Sequence, residues 1–430
     1  MRHGIRRAAR LALALAFTLA GAPHARAELD ATERSIRDAL FARRDAMLET
    51  LAAWVDLNTG SRNRSGLQAF AGQLASRLER LGFEVALTDG ALLELPGSEP
   101  FRTGPLVVAE RAAGDPDAPR FLLQGHLDTV FEPVSPFQAF ERAPDGRTAT
   151  GPGVTDMKGG LVVLFFALEL LRERGELDAA AWTVLLNSDE ELGSLGSRRR
   201  IEEAARSATY GFVFEAAHQG SAMVRSRRGL GQFHLAVRGV AAHAGSAHEQ
   251  GRSAIRELAE KVLRIEALTD YARGITLNVG TIEGGAKRNI VPERASAWVD
   301  LRYDDVASGE AMRRRIEAIA GETFVEGTET RVWGTLHRPP KPRSDATERL
   351  LALHAQAARD LGVESPEPLH AGGGTDGSLM QAVGLPTLDT MGVVGGHAHT
   401  DREFVELASL PERAALAAIY LRRLARAAPR

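Results

Sequence analysis

The chain contains no cysteine. That excludes disulfide scaffolds, thiolate zinc sites, iron–sulfur clusters and cysteine nucleophiles, so any metal must be held by histidine and carboxylate. No apolar run approaches the roughly 20 residues that a membrane-spanning helix needs. No Gly-Lys pair occurs, which removes the P-loop, and no G-x-S-x-G supports a serine-hydrolase elbow. His248-Glu249-Gln250-Gly251-Arg252 begins like a zincin helix but lacks the second histidine. There is no internal repeat and no low-complexity segment beyond a general richness in Ala and Arg. What is present is ordinary: 430 residues, 44% hydrophobic and 25% charged. Disordered and fibrous classes are excluded, and the length suits two or three folding units at a prior of about 150 residues each.

The first 27 residues differ from the rest. Arg2, Arg6, Arg7 and Arg10 precede an apolar run, Leu11 to Gly21, and Ala25-Arg26-Ala27 supplies the small-x-small pattern of a cleavage site. The expectation is a cleaved leader over 1–27 and an exported, periplasmic or secreted protein. Its removal takes five Arg and no acids, leaving 48 basic against 56 acidic residues, a net charge of −8. That balance argues against a nucleic-acid partner, and nothing later in the chain predicts a membrane anchor.

Residues 30–57 and 65–82 read as helices, followed by short β-rich runs at 83–87, 106–110 and 121–124. A long apolar helix spans about 159–174, and 182–187 and 210–215 are strand-like. This alternation predicts an α/β domain with a mostly parallel sheet flanked by helices. From about Arg225 the texture changes to β-α-β-β-α order, which suits an inserted smaller α+β domain with a four-stranded sheet. The Pro-rich stretch His337–Pro342 reads as its exit linker. The boundaries are therefore 28–225 and 338–430 for the main domain, with the insert at 226–337.

Five segments put histidine or an acid at the end of an apolar strand or in a Gly-rich loop: Gly125-His126-Leu127-Asp128, Gly153-Val154-Thr155-Asp156, Ser188-Asp189-Glu190-Glu191, Phe214-Glu215 and His397-Ala398-His399. Taken singly, each has an ordinary explanation: a surface histidine, a solvated acidic patch, a helix N-cap. Their shared position is what matters, because ligands of α/β sheets gather at the carboxyl ends of the strands. Two histidines and three carboxylates suit a pair of borderline cations such as Zn²⁺, about 3.5–4 Å apart. His126 and Asp128, two apart in extended chain, point to the same side, so Asp128 can accept the spare ring N–H or steady a neighbouring ligand. Gly372-x-Gly374-x-x-Gly377 matches a dinucleotide fingerprint but lies too near the C-terminus for such a domain. Its backbone N–H groups suit a substrate carboxylate better.

With GHLDTV, GPGVTDMKGG, NSDEELGSLGSR and GGGTDG in this order, the chain resembles the aminoacylase and carboxypeptidase family of di-zinc metallopeptidases, most closely the glutamate carboxypeptidases of the carboxypeptidase G type. The resemblance covers nearly all of the chain after the leader. It implies a zinc-exopeptidase fold with a lid domain, two Zn²⁺ per chain, and a small peptide or N-acyl amino acid as substrate. It implies His126 and Glu215 as metal ligands, Asp156 bridging, Glu191 and His399 completing the pair, and Glu190 as general base. His397 is an alternative ligand by spacing alone, and the family pattern favours His399. The peptide bond after Asp156 is expected to be cis. In the lid, His243 resembles a residue that helps bind the substrate carbonyl across a homodimer, and Asn289 and Arg302 resemble residues that bind the substrate carboxylate, with backbone from Gly374 and Thr375. The implied activity is release of a C-terminal amino acid, with an N-acyl-amino-acid deacylase or dipeptidase, or an inactive peptide-binding relative, as alternatives. One feature departs from the pattern. Glutamate-specific relatives hold the substrate side chain with a basic residue near the start of the lid, where this chain has Ala222. Either Arg225, Arg227 or Arg228 stands in, or the glutamate preference is lost.

Overall fold

In the computed structural model, residues 28–427 are described, apart from 97 and 218. The leader read over 1–27 lies outside the described residues. The stretch expected as one helix over 30–57 is two, α1 (Ala31–Ala42) and α2 (Arg44–Val55). Asp30 and Glu33 close a capping box at the start of α1. Both helices bury apolar faces in one core, so hydrophobic spacing runs on across Arg43 with no Pro or Gly to mark the break. Helix α3 (Arg64–Arg80) ends at Gly82, whose φ of 84° is the left-handed conformation that glycine adopts most readily.

Strands β1 (Glu84–Thr88), β2 (Leu106–Arg111) and β3 (Arg120–His126) follow, then α4 (Lys158–Glu173), β4 (Ala181–Asn187), α5 (Arg198–Ser207) and β5 (Tyr210–Val213). The insert is β6 (Gly229–Arg238), α6 (Ala254–Glu266), β7 (Thr276–Gly284), β8 (Arg294–Tyr303), α7 (Val306–Gly321) and β9 (Glu329–Arg338). The chain then returns through α8 (Asp345–Leu361), α9 (Asp376–Ala382), β10 (Thr387–Leu388) and α10 (Ser409–Ala427).

The main sheet has the order β1-β2-β4-β3-β5-β10. Its β4-β3-β5-β10 portion is parallel, and β1 and β2 join antiparallel at one edge. β3 lies inside the parallel part with every residue after Arg120 buried, as a strand covered on both faces must be. Helix α4 is apolar nearly all round because it packs against α10, α2 and α1, and its Leu161 lies against Gly125 of β3. Its approach is so close that a Cβ on Gly160 would lie 1.7 Å from the Phe214 carbonyl oxygen. Glycine there brings the loop before α4, which carries Asp156, up against the loop after β5, which carries Glu215.

The insert's sheet runs β7-β8-β6-β9, antiparallel throughout. Strands β6 and β8 alternate buried and exposed residues, and the buried face forms its own core under α6 and α7. The fourth strand, β9, takes in His337 and Arg338, which the Pro-rich composition had assigned to a linker. Proline begins only at Pro339, so it ends the strand rather than excluding it. The two connections between domains pair with each other: Arg227 N–H donates to the Lys341 carbonyl (2.9 Å) and Lys341 N–H to that of Arg227 (3.0 Å). Both side chains converge on buried Asp389, Arg227 Nε at 2.6 Å and Lys341 Nζ at 3.3 Å.

Candidate metal centre

Strand ends deliver the first donors. His126 is the last residue of β3, Glu190 and Glu191 follow β4, and Glu215 follows β5. The loop before α4 adds Asp156, and the segment after β10 adds His399. The two oxygens of Asp156 face different partners. Oδ1 is 3.0 Å from His126 Nε2, which is also 3.4 Å from Glu215 Oε1. Oδ2 is 3.1 Å from His399 Nε2, which is also 3.1 Å from Glu191 Oε2. One carboxylate therefore divides the donors into two sets, each with one imidazole and one terminal carboxylate. The Asp156–Met157 peptide is cis, as expected. His399 sits at φ 65°, in the left-handed region where a non-glycine residue is uncommon. His397 is not part of the cluster: its ring lies against Phe404 at 5.8 Å.

These donors fit a pair of divalent ions. Glu191 Oε1 is buried with no hydrogen-bond partner among the described residues. Burial, and then the charge of Asp156, pushes the Glu191 carboxyl up to about 8, and Glu215 is raised by the same two causes. Hydrogen bonds to Asp156 and then to Glu191 pull His399 up to about 11. Burial opposes charge on His126 too, yet Glu215 and the neighbouring acids outweigh it and raise that histidine. Burial likewise works against the Asp156 anion, but His126 and His399 hold its carboxyl well below the usual range. Such a crowd of buried acids around two imidazoles is a cation site by its chemistry, because unpaired buried charge is costly.

Supporting contacts fix the donors. His126 Nδ1 donates to the Asp128 backbone carbonyl at 2.9 Å, so Nε2 is the nitrogen that would offer its lone pair to an ion in the site. The Asp128 carboxylate has another task. It accepts from Ser61 Oγ (2.8 Å) and from the backbone N–H groups of Glu190 (3.2 Å) and Glu191 (3.3 Å), so it aims the glutamate pair. Its Oδ1 also lies 3.5 Å from His126 Nδ1, so the Asp128 side chain faces the spare ring N–H as well as steadying the neighbouring glutamates.

Glu190 turns to a cation that sequence reasoning missed. Arg338, 2% exposed at the end of β9, donates to Glu190 Oε1 at 2.6 Å and pairs with Asp376 Oδ1 at 2.9 Å. Asp376 also accepts from Gln124 (3.0 Å) and Asn187 (2.9 Å), at the ends of β3 and β4. Burial raises the Glu190 carboxyl well above its ordinary value although Arg338 opposes the shift. One Arg among many carried no local signal; the Asp of the GGGTDG loop was the available clue.

The remaining candidates lie apart from the ion cluster. Arg302 forks onto Asp300 (2.6 and 2.8 Å) and donates to the Gly372 carbonyl at 3.2 Å, touching the Gly-rich loop. A Cβ on Gly374 in that loop would meet Leu230 and Arg338. Thr375 caps α9 and donates to Asp389 at 3.2 Å. His243 and Asn289 are exposed neighbours in the lid, joined by the Ala244 N–H on the Asn289 carbonyl at 3.0 Å. Arg225, Arg227 and Arg228 are all engaged, with Glu348 (2.9 Å), Asp389 (2.6 Å) and Asp304 (3.2 Å).

A model of peptidase family M20/M25/M40 matches residues 122–423, a span that holds every donor named above. The chain belongs to that family. It is 31% identical to carboxypeptidase G2 of Pseudomonas sp. (strain RS-16) over 87% of this chain and 88% of that one. It is 29% identical to a succinyl-diaminopimelate desuccinylase of Halorhodospira halophila over 71% of this chain and 82% of that one. An M20-family metallo-carboxypeptidase from Sulfolobus solfataricus shares its fold, with a TM-score of 0.69 at 19% identity over 88% of this chain and 99% of that one. As a member of the M20 family the chain is a metal-dependent hydrolase with the mixed α/β architecture expected from its strand and helix order.

Proposed function

We propose that this peptidase is a di-zinc exopeptidase that removes a C-terminal amino acid from small peptides or N-acyl amino acids. The observation that carries the reading is the division of donors by Asp156, with Glu190 beside one half. Nitrogen and oxygen donors in equal-sized sets favour zinc over a hard cation, which prefers oxygen alone. His126 and Glu215 would hold one ion, Glu191 and His399 the other, and Asp156 both. When bound, the ions supply Lewis acidity to the scissile carbonyl and lower the pKa of water. Glu190, with Oε1 fixed by Arg338, takes the proton from the attacking water at its carboxylate and returns it to the leaving nitrogen. His243 Nδ1 accepts from the N–H groups of Gly245 (3.1 Å) and Ser246 (3.2 Å), so the ring's remaining N–H is on Nε2, where it can donate to a carbonyl oxygen.

Recognition of the free carboxylate falls to the arginines of the lid and its exit strand. Arg338 is the buried guanidinium nearest the base, and its Nη1 is paired with Asp376 without an aligned hydrogen bond. Arg302 stands at the Gly-rich loop as the second anchor, with the backbone of Gly374 and Thr375 in the same loop, while Asn289, exposed beside His243 elsewhere on the lid, would add its donor from a partner molecule. Likeness to a desuccinylase favours an N-acyl-amino-acid deacylase as the second reading. The exposed edge strand β7, with Ile282 on it and Leu263 on α6, supports a homodimer through the lid. The basic and apolar pattern of 1–27 supports export to the periplasm or beyond.

Hydrolysis of N-acyl amino acids and dipeptides with the C-terminal residue varied, each as free acid and as amide with Zn²⁺ supplied, tests the reading. Amidation should lower kcat/KM by about 10²-fold or more, because a site built to bind a charged group is left unpaired. Equal turnover of acids and amides would remove the carboxypeptidase assignment.

A further inference from the structure

The two sets of donors come from segments far apart in the chain, and one buried side chain ties them together. Glu403 lies four residues beyond His399 and is fully buried. Its carboxylate accepts three backbone N–H groups from the loop that presents Asp156: Gly153 on Oε2 at 3.0 Å, and Thr155 and Asp156 on Oε1 at 2.8 and 3.0 Å. The same two segments pair as strands just beyond, Thr150 opposite Phe404, and Thr155 Oγ1 donates to the Phe404 carbonyl. Across this tie, Asp156 Oδ2 and His399 Nε2 meet at 3.1 Å.

We propose that Glu403 is a positioning residue for the metal pair, holding the bridging carboxylate of Asp156 and the terminal ligand His399 in register by seizing the backbone of one loop from the base of the other. The inference rests on the reading of Asp156 and His399 as ligands. Its physical basis is tolerance. Donors of a metal site must be held within about 0.5 Å of their productive places, and surface loops do not achieve that unaided. A carboxylate that closes three N–H donors at once removes the freedom of the 153–156 loop without touching an ion. Outer contacts of this kind typically control metal affinity by about 10–100-fold.

Zinc affinity and stoichiometry measured by competition with a chromophoric chelator test this, at a temperature where circular dichroism shows each metal-free variant folded. The wild type should take two ions. Glu403→Ala should still bind zinc but about 10–100-fold more weakly at both sites. Glu403→Gln retains one acceptor oxygen while turning an amide NH₂ toward a backbone N–H, so it should fall between the two. Asp401→Ala, exposed in the same segment, should match the wild type. A purely structural Glu403 would lower the unfolding temperature of the metal-free variants and leave the affinity of the folded protein unchanged. Wild-type affinity in Glu403→Gln, together with wild-type affinity in Glu403→Ala if that variant folds, overturns the proposal. A wild type that binds no zinc overturns the metal reading itself, a different result.

Discussion

Asp156 and Glu190 bring negative charge into one cleft for different ends. Asp156 spends both oxygens on the two donor sets, whereas Glu190 leans on a guanidinium, so the two should respond differently to removal of charge. Glu190→Gln is expected to retain both metals and lose about 10²–10⁴-fold in turnover, the usual contribution of a general base. Metal analysis beside single-substrate kinetics checks this, and near-wild-type turnover in the loaded variant would contradict it. Asp156→Ala should instead fail to hold two ions, because neither donor set keeps its shared oxygen; two zinc per chain in that variant would remove the bridging role. At this scale the sequence was most informative about residues in unusual company. His126, Asp156, Glu190, Glu191, Glu215 and His399 stood out because each interrupts an apolar strand end or a Gly-rich loop. Arg338 and Glu403 did not, and Asp376 entered only as part of the GGGTDG motif. Their importance lies in contacts across long stretches of chain, which no local pattern records.

Helices and strands were legible wherever burial imposes a period. β3, β4 and α4 are long apolar runs, and β6 and β8 alternate because one face of the lid sheet is open. The division of α1 from α2 escaped because a turn that keeps both apolar faces on one core leaves the spacing intact. The last lid strand escaped because proline just beyond it suggested a linker. One packing detail between helices carries its own prediction. His354 on α8 lies edge-on to Tyr420 of α10 at 5.3 Å, fully buried, and neither ring nitrogen has a partner among the described residues. Burial, aided by the charge of Arg413, pushes this histidine down to about 3. Between there and its ordinary value of 6.5 the unfolded chain binds a proton that the folded one refuses, so stability falls as pH falls through that window. The slope from this residue is at most about 1.4 kcal/mol per pH unit. His354→Phe keeps an aromatic edge on Tyr420 and removes the titration. Denaturant unfolding at pH 7 to 4 should show the variant losing stability less steeply than the wild type, and parallel curves would show that His354 is protonated or hydrated in the fold.

Among the described residues the main domain has two hydrophobic clusters and the lid a third, and a crossed pair of connections joins the domains with the buried carboxylate of Asp389 under both. That arrangement lets Arg338 leave the lid and reach the base of the main domain, while His243 and Asn289 remain exposed on the lid, away from their own chain's donors. If they serve a site, a partner molecule offers the direct route. The edge strand β7 leaves Ile282 57% exposed, and Leu263 of α6 is 69% exposed, an apolar margin that a two-fold contact would cover. His243→Ala and Glu190→Gln are each expected to be inactive as homodimers. In a mixed dimer, however, the His243→Ala chain retains its Glu190 and receives His243 from its partner, so one site of the two is complete. With random exchange half of the dimers are mixed, so about a quarter of all sites should work. Activity recovered on mixing, scaling with dimer exchange followed by native mass spectrometry, is the expected result. A lid that stays monomeric at assay concentration with full wild-type activity would exclude the shared site, because each chain would then have to polarise the substrate carbonyl with residues of its own.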